Sequence, residues 1–314
     1  MKKELLVLLL ASSLLLFLTG CTLFPTGPRE MPIPEVYVGT TALELSFLQG
    51  APPAEVFEGG SFEITIDVQN TGAYDVERGL YSLVLEEQYM SLFEEGKQTG
   101  SFYIKGRSIY DPVGGRQRLV FRTRADPLPE QVERYPATII FNACYAYKTT
   151  ATAQVCIDTD LAGIQAVKVC TPTTTSMSGG QGGPVSITSV ESKMLPYEDG
   201  LITPTFIIYI ENQGNGQVVD TNAIGEACGA KISKTFGREA FNRITRLTAA
   251  LTDQTLICRP DKIILTPMEA TRVVCEATNP IGPERGTYTT PLSIEIDYGY
   301  VNSITTTTTI TKMV

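Results

Sequence analysis

Three blocks of this 314-residue sequence recur in the same order in its second half, and that duplication constrains the fold more than any other feature. SFEITIDVQNTG at Ser61–Gly72 is matched by TPTFIIYIENQG at Thr203–Gly214. RQRLVFRT at Arg116–Thr123 is matched by ATRVVCEA at Ala270–Ala277. The closing block Tyr135–Ile157 aligns without a gap on Tyr288–Ile310, setting Tyr135, Tyr145, Tyr147 and Ile157 over Tyr288, Tyr298, Tyr300 and Ile310. A repeat this long is a whole domain rather than one layer of a solenoid.

The pattern inside the blocks is that of strands. Ile64, Ile66 and Val68 alternate before the turn residues Asn70-Thr71-Gly72, and Phe206, Ile208 and Ile210 do the same before Asn212-Gln213-Gly214. Strict alternation places one set of side chains on one face of a sheet. Each closing block reads as strand, short turn, strand, the last hairpin of a sandwich. In the stretch 237–251, Leu247, Ala249 and Leu251 alternate like a strand, whereas Arg238–Arg243 fits one helical turn. The fold class is therefore all-β: two tandem antiparallel sandwiches, over residues 35–170 and 184–314. The junction 171–183, TPTTTSMSGGQGG, is polar and glycine-rich, the composition of a flexible linker.

The first residues set the compartment. Lys2 and Lys3 precede a leucine-rich run from Leu5 to Leu18, and Leu18-Thr19-Gly20-Cys21 follows. This is the layout of an export signal, here residues 1–20. Its end resembles a lipoprotein lipobox. That resemblance implies a diacylated Cys21 as the mature N-terminus, with 21–34 as a lipidated tether rich in Pro and Gly. Two acyl chains are what stable anchoring requires. An uncleaved membrane helix stretched through Phe24, or free secretion, are the competing readings, and all three leave the remaining chain outside the cytoplasm.

Cysteine arithmetic agrees with export. Seven cysteines less Cys21 leave Cys144, Cys156, Cys170, Cys228, Cys258 and Cys275, an even set that reads as three disulfides. Three lie at or before Cys170 and three at or after Cys228, so full pairing sends at least one bridge across the junction. The preferred set is Cys156–Cys170, Cys258–Cys275 and a crossing Cys144–Cys228. The alternative is Cys144–Cys156 with Cys170–Cys228 crossing, and spacing alone does not choose among fifteen connectivities. Zinc fits poorly, because no CxxC pair and no histidine occur.

Composition excludes several functions. Without histidine the chain lacks the usual general base, the Ser-His and Cys-His pairs and the commonest metal ligand. The net charge of −9 and the scatter of its 25 basic residues argue against nucleic acid as a partner. No catalytic residue, cofactor or metal is expected.

At Val56–Val76, VFEGGSFEITIDVQNTGAYDV resembles the opening of cell-adhesion-related (CARDB-like) and other bacterial or archaeal immunoglobulin-like domains: Gly, alternating apolar residues, then Asn-x-Gly. The second copy matches through IENQG but lacks the Glu-Gly lead. The closing blocks and GGQGGPVSITSVE are also similar to archaeal surface lipoproteins. The resemblance implies an immunoglobulin-like fold and a surface location. It carries over no functional residue.

Four groups remain as candidate sites. Asp158-Thr159-Asp160 offers two carboxylates to calcium, though an Asp-rich turn explains them with fewer ligands. Glu86, Glu87, Glu94 and Glu95 form an acidic stretch, read as a solvated loop. Tyr145, Tyr147, Tyr298 and Tyr300 either present stacking surfaces to a glycan or serve the core, and their recurrence favours the core. The Thr-rich strand Thr305–Thr311 pairs inside its own sheet or donates an edge to another subunit. The expected function is that of a non-enzymatic, lipid-anchored cell-surface protein: an adhesin, envelope scaffold or surface-assembly subunit. The expected partners are the membrane, through the anchor, and a protein or envelope component. The alternative is a ligand- or glycan-binding surface lipoprotein serving a transporter or sensor.

Overall fold

The computed structural model describes residues 36–165, 167–229 and 237–313. The export segment, Cys21 and the tether lie outside these residues.

The strands of the first half are β1 (Leu43–Phe47), β2 (Glu55–Phe57), β3 (Ser61–Asn70), β4 (Val76–Leu85), β5 (Met90–Leu92), β6 (Thr99–Ile104), β7 (Arg116–Ala125) and β8 (Arg134–Asp158). The junction contributes β9 (Thr174–Ser176). The second half adds β10 (Val185–Pro196), β11 (Ile202–Asn212), β12 (Gln217–Val219), β13 (Arg243–Ile244), β14 (Arg246–Leu251), β15 (Leu256–Arg259), β16 (Ile263–Ile264), β17 (Thr271–Ala277) and β18 (Thr287–Thr311). A short helix, α1 (Ile224–Ala227), follows β12. The ambiguous stretch resolves into both of its readings, a 3-10 turn at Arg238–Ala240 and the strand β14.

The protein is predominantly β. One sheet has the order β1-β3-β7-β5 and a second β15-β17-β11-β10-β9. The duplicated blocks occupy equivalent places in them: β3 and β11 are inner strands, and β7 and β17 are their neighbours. The third sheet, β12-β18-β8-β4-β6, also takes β14 and β2 on the edge of β18. It receives the other two sheets. Phe121 of β7 lies 6.4 Å from Phe141 of β8, and Val185 of β10 meets Thr149 and Tyr298.

The closing blocks are not hairpins. Each is one uninterrupted 25-residue strand, and β8 and β18 pair antiparallel along their full lengths. At the middle of the strands, Tyr145-Ala146-Tyr147 and Tyr298-Gly299-Tyr300 keep the two-residue alternation of their flanks, with tyrosines facing the core and Ala146 exposed on the other face. Nothing there supplies the backbone chemistry of a turn, and a single glycine is compatible with a strand where another element approaches closely. That element is α1, since a Cβ on Gly299 would press on Ile224 and Val219.

The register makes the pairing self-complementary. Tyr145 lies opposite Tyr300, Tyr147 opposite Tyr298, Tyr135 opposite Ile310 and Ile157 opposite Tyr288, with Ala146 and Gly299 at the centre. Equivalent residues thus have equivalent partners, the rule of an isologous two-fold interface. β4 and β14 obey the same symmetry, the first pairing with Ile139–Cys144 and the second with Leu292–Asp297.

The junction is built into the sheets rather than left as a free tether. β9 pairs with β10, Gly182 N–H donates to Gly39, and the buried Gln181 amide bonds both backbone groups of Ile187 at 2.9 and 3.1 Å. Its glycines supply conformation. Gly179, Gly180 and Gly182 all have positive φ, which a flexible-linker composition and a tightly turned segment share.

Candidate functional site

Where the symmetry axis crosses the shared sheet, Tyr145, Tyr147, Tyr298 and Tyr300 close a ring of aromatic contacts. Neighbouring centroids are 5.8 to 6.4 Å apart, and three of the four contacts are edge-to-face. This geometry sets the positive edge of one ring against the negative face of the next. All four side chains are buried.

Each hydroxyl accepts one hydrogen bond and donates one, in symmetry-related pairs. Tyr147 accepts from Tyr74 N–H (3.0 Å) and donates to the Gly182 carbonyl (3.2 Å). Its equivalent, Tyr300, accepts from Gly216 N–H (2.7 Å) and donates to Asn212 Oδ1 (3.2 Å). Tyr145 accepts from Leu43 N–H and donates to Asn302 Oδ1, while Tyr298 accepts from Val185 N–H and shares a bond with Thr149 Oγ1. Fully paired buried hydroxyls avoid the cost of unsatisfied polar groups.

This network explains the recurring Asn-x-Gly turns. Asn70 donates to the Tyr74 carbonyl at 2.8 Å and Asn212 to the Gly216 carbonyl at 2.9 Å, folding each loop back over its tyrosine. A Cβ on Gly72 would run into the Tyr147 hydroxyl, and one on Gly214 into that of Tyr300. The turn motif and the Tyr-x-Tyr motif are therefore two sides of one contact. Both motifs recur in the sequence, but a strand pattern carries no sign that they meet.

Burial pushes the phenols up, because the charged form loses its water. Tyr145 and Tyr298 lie well above the ordinary tyrosine range, Tyr147 is strongly raised, and Tyr300 is raised to about 12. The ring is a neutral hydrogen-bonded core and offers no face to a ligand, in keeping with the core reading of these residues.

On the opposite face of the same sheet, α1 packs over the axis. Cys144 of β8 is bridged there to Cys228, in a small apolar cluster with Val219 and Ile224. The other two bridges are Cys156–Cys170 and Cys258–Cys275, the preferred set. The crossing bridge thus ties the second half to the central strand of the first, next to the tyrosines.

Beside α1 lies an open groove of about 1030 Å³, bordered by Tyr74, Arg78, Lys148, Thr221, Arg246 and Asp297 among others. Two of its basic residues are held in ion pairs. Arg246 Nη2 is 2.6 Å from Asp297, and Lys148 is 3.8 Å from Glu295 and 5.0 Å from the centre of the Tyr74 ring. Of the ring tyrosines, only Tyr147 borders it, and that side chain is 5% exposed.

The remaining candidates separate. Asp158 and Asp160 come together, but around Lys168, whose Nζ is 2.6 Å from Asp158 Oδ2 and 2.8 Å from the Asp160 carbonyl. Asp160 also accepts from Gln165 and Ile164 N–H, which chiefly hold its carboxyl below the usual range. For Asp158, burial opposes ionisation, yet Lys168 and the Asp160 N–H outweigh it and the net direction is down. An ammonium stands where a cation would, so the turn reading fits.

The acidic stretch is not uniformly solvated. Glu86 accepts from the Tyr135 hydroxyl (2.6 Å) and Thr138 N–H (2.8 Å), whereas Glu94 pairs with Lys97 at the exposed tip. The Tyr135 contact, with lesser help from Thr138, lowers the Glu86 pKa. Glu87 and Glu95 are exposed. Thr305–Thr311 pairs internally with Arg134–Ile140 of β8, and its last three residues also take up β2. No protein-family model matches the sequence, and no curated protein does so either.

Proposed function

We propose that this chain is a non-enzymatic, extracytoplasmic surface protein, held to the membrane by lipid on Cys21, whose two immunoglobulin-like halves form a single rigid body. It acts as an adhesin, envelope scaffold or subunit of a surface assembly. The observation that carries this reading is the fusion of the halves through one continuous strand pair, pinned by the tyrosine ring on one face and the crossing disulfide on the other. A spacer or presenting module benefits from fixed geometry, and three disulfides suit an oxidising compartment. The filled, hydrogen-bonded centre supports a mechanical role over a pocket. The test is fractionation of cells expressing the wild type and Cys21→Ser. Release of the variant from membranes, with loss of lipid mass on the N-terminal peptide, is the expected result. Membrane retention of the variant overturns the lipid anchor.

The groove at Tyr74 favours the second reading, a ligand- or glycan-binding surface lipoprotein. Titration with oligosaccharides followed by amide shifts at Tyr74, Lys148 and Arg246 separates the two.

A further inference from the structure

The fold leaves part of one side of β8 open in the shared sheet. β4 covers β8 only along Ile139–Cys144, and beyond that point no strand among the described residues pairs with the side of β8 facing away from β18. Two hydrogen bonds fix which residues point there. Thr138 N–H reaches Glu86 on the β4 side, and the Gln154 carbonyl accepts from Thr175 Oγ1 on the open side. Because backbone groups alternate, the even-numbered residues present both N–H and C=O to this edge. Among the described residues, nothing bonds the backbone groups of Thr150 and Thr152 or the N–H of Gln154.

An exposed edge is normally guarded by charge, proline or a bulge. This one has no such guard between Thr150 and Gln154, and the β8–β18 ladder runs past it without a register shift. The edge forms one side of a groove of about 600 Å³ running between β8 and β9, with Tyr37 and Met177 in its lining and no charged residue. The two-fold symmetry supplies a comparison. Thr150–Gln154 corresponds to Ser303–Thr307 of β18, and the start of that stretch borders a smaller space of about 310 Å³ also lined by Glu44, Asp67 and Arg116, where Arg116 Nε bonds Asp67 at 2.7 Å. That space is lined by charges and the groove beside β8 is not. At its far end the β18 edge already accepts an added strand, since β2 pairs parallel with Thr309–Thr311.

We propose that the β8 edge at Thr150–Gln154 is a docking site for an extended segment of a partner protein, which adds to the shared sheet as a further strand. The occupant follows from the chemistry. Main-chain donors and acceptors repeating every two residues, about 6 to 7 Å apart, are matched by another main chain. A neutral lining selects an uncharged segment with small or polar side chains. A second copy docking through the same edge is disfavoured, because β9 and Tyr37 border the groove and a single strand reaches it more readily than a recessed edge. The inference rests on the reading of this chain as an assembly subunit, and it names the surface through which the assembly forms.

The test uses the full, disulfide-intact chain and a synthetic peptide copying Asn302–Thr309, an uncharged, Thr-rich stretch of β18 that already pairs with Pro136–Ala143 of β8. Amide hydrogen exchange is followed at Thr150, Thr152 and Gln154. Saturating peptide is expected to slow these three amides about tenfold or more, with ladder amides facing β18 unchanged. The same peptide N-methylated at alternate residues is expected to have no effect. Thr152→Pro provides a second check on the protein side. The Thr152 N–H faces the open edge, so proline there removes no bond to β18 but blocks an added strand. Unchanged exchange at millimolar peptide overturns the proposal. So does protection of these amides in the protein alone, which would mean the edge is already covered. Neither result touches the Cys21 anchor, so failure of the edge site and failure of the surface-scaffold reading are separately visible.

Discussion

Raising the pH through the tyrosine range tests whether the ring holds the halves together. Folded pKa values of Tyr145, Tyr147, Tyr298 and Tyr300 are raised by burial, so the native state keeps these protons while the unfolded chain releases them near pH 10. A group of this kind contributes stability that is complete below the unfolded pKa and declines above it. At pH 11 each unfolded phenol is about nine-tenths ionised, which favours unfolding by about 1.4 kcal/mol per tyrosine and about 5 to 6 kcal/mol for the four. That sum is comparable with the whole net stability of an ordinary domain, about 5 to 15 kcal/mol. The expected behaviour is a steep loss of near-ultraviolet circular dichroism between pH 10 and 12, with phenolate absorbance at 295 nm from the ring rising in the same step. Tyr298→Phe removes one ionisation and should flatten the transition, while costing about 1 to 2 kcal/mol at neutral pH through the lost hydroxyl bonds. If the ring phenols titrate near pH 10 with the dichroism intact, the ring is solvated and the reasoning fails.

Three further perturbations probe the same architecture. Gly72→Ala and Gly214→Ala should each lower stability by about 1 to 3 kcal/mol in guanidinium unfolding, by driving a methyl into a tyrosine hydroxyl. Adding Tyr147→Phe to Gly72→Ala should recover part of that loss, and strict additivity would deny the contact. Removing the crossing bridge with Cys144→Ala and Cys228→Ala opens an 84-residue loop and should cost about 4 to 5 kcal/mol on the chain-entropy model. Removing Cys156–Cys170, which closes a separation of 14, should cost about 3 kcal/mol, and a reversed order in thermal melts would count against the model. Asp158 and Asp160 have depressed pKa values, so their contribution is present above the ordinary carboxylate range and is lost as pH falls through the folded values. Amides of Ile164 and Gln165 should therefore exchange faster below about pH 4 while those of β8 stay protected.

How much of this was readable beforehand depends on the range of the interaction. Alternation in Ser61–Asn70 and Thr203–Asn212 identified strands because the period-two signal lies within one segment, while their inner place in the sheets was not legible. Parity gave three disulfides with at least one across the junction, whereas the choice of Cys144–Cys228 as the crossing bridge needed the fold, because spacing leaves fifteen connectivities open. The hairpin reading of the closing blocks failed because strand length is a tertiary property: a block this long is expected to turn only until a 25-residue partner runs alongside it. The Asp-rich turn reading of Asp158-Thr159-Asp160 fits, but the Lys168 that neutralises it is ten residues away in sequence and was not foreseen.

The gapless alignment of the two closing blocks held more information than a sign of duplication. Two copies of a strand that align without a gap can pair antiparallel about a two-fold axis only if residues equidistant from the centre are compatible. The tyrosines flanking Ala146 and Gly299 satisfy that condition by meeting each other. A chain repeated in this way is an intramolecular version of a symmetric dimer, and its centre is where the equivalent tyrosines of both halves meet. Departures from symmetry then mark where the copies diverged. Glycine replaces alanine where α1 rests on the sheet, asparagine replaces threonine opposite Tyr145, and the space beside β18 is lined by charges while the groove beside β8 is not. The first two are explained by contacts within the molecule. The third sets the Asp67–Arg116 pair beside β18 against an uncharged groove beside β8, the asymmetry on which the proposed strand-docking site rests.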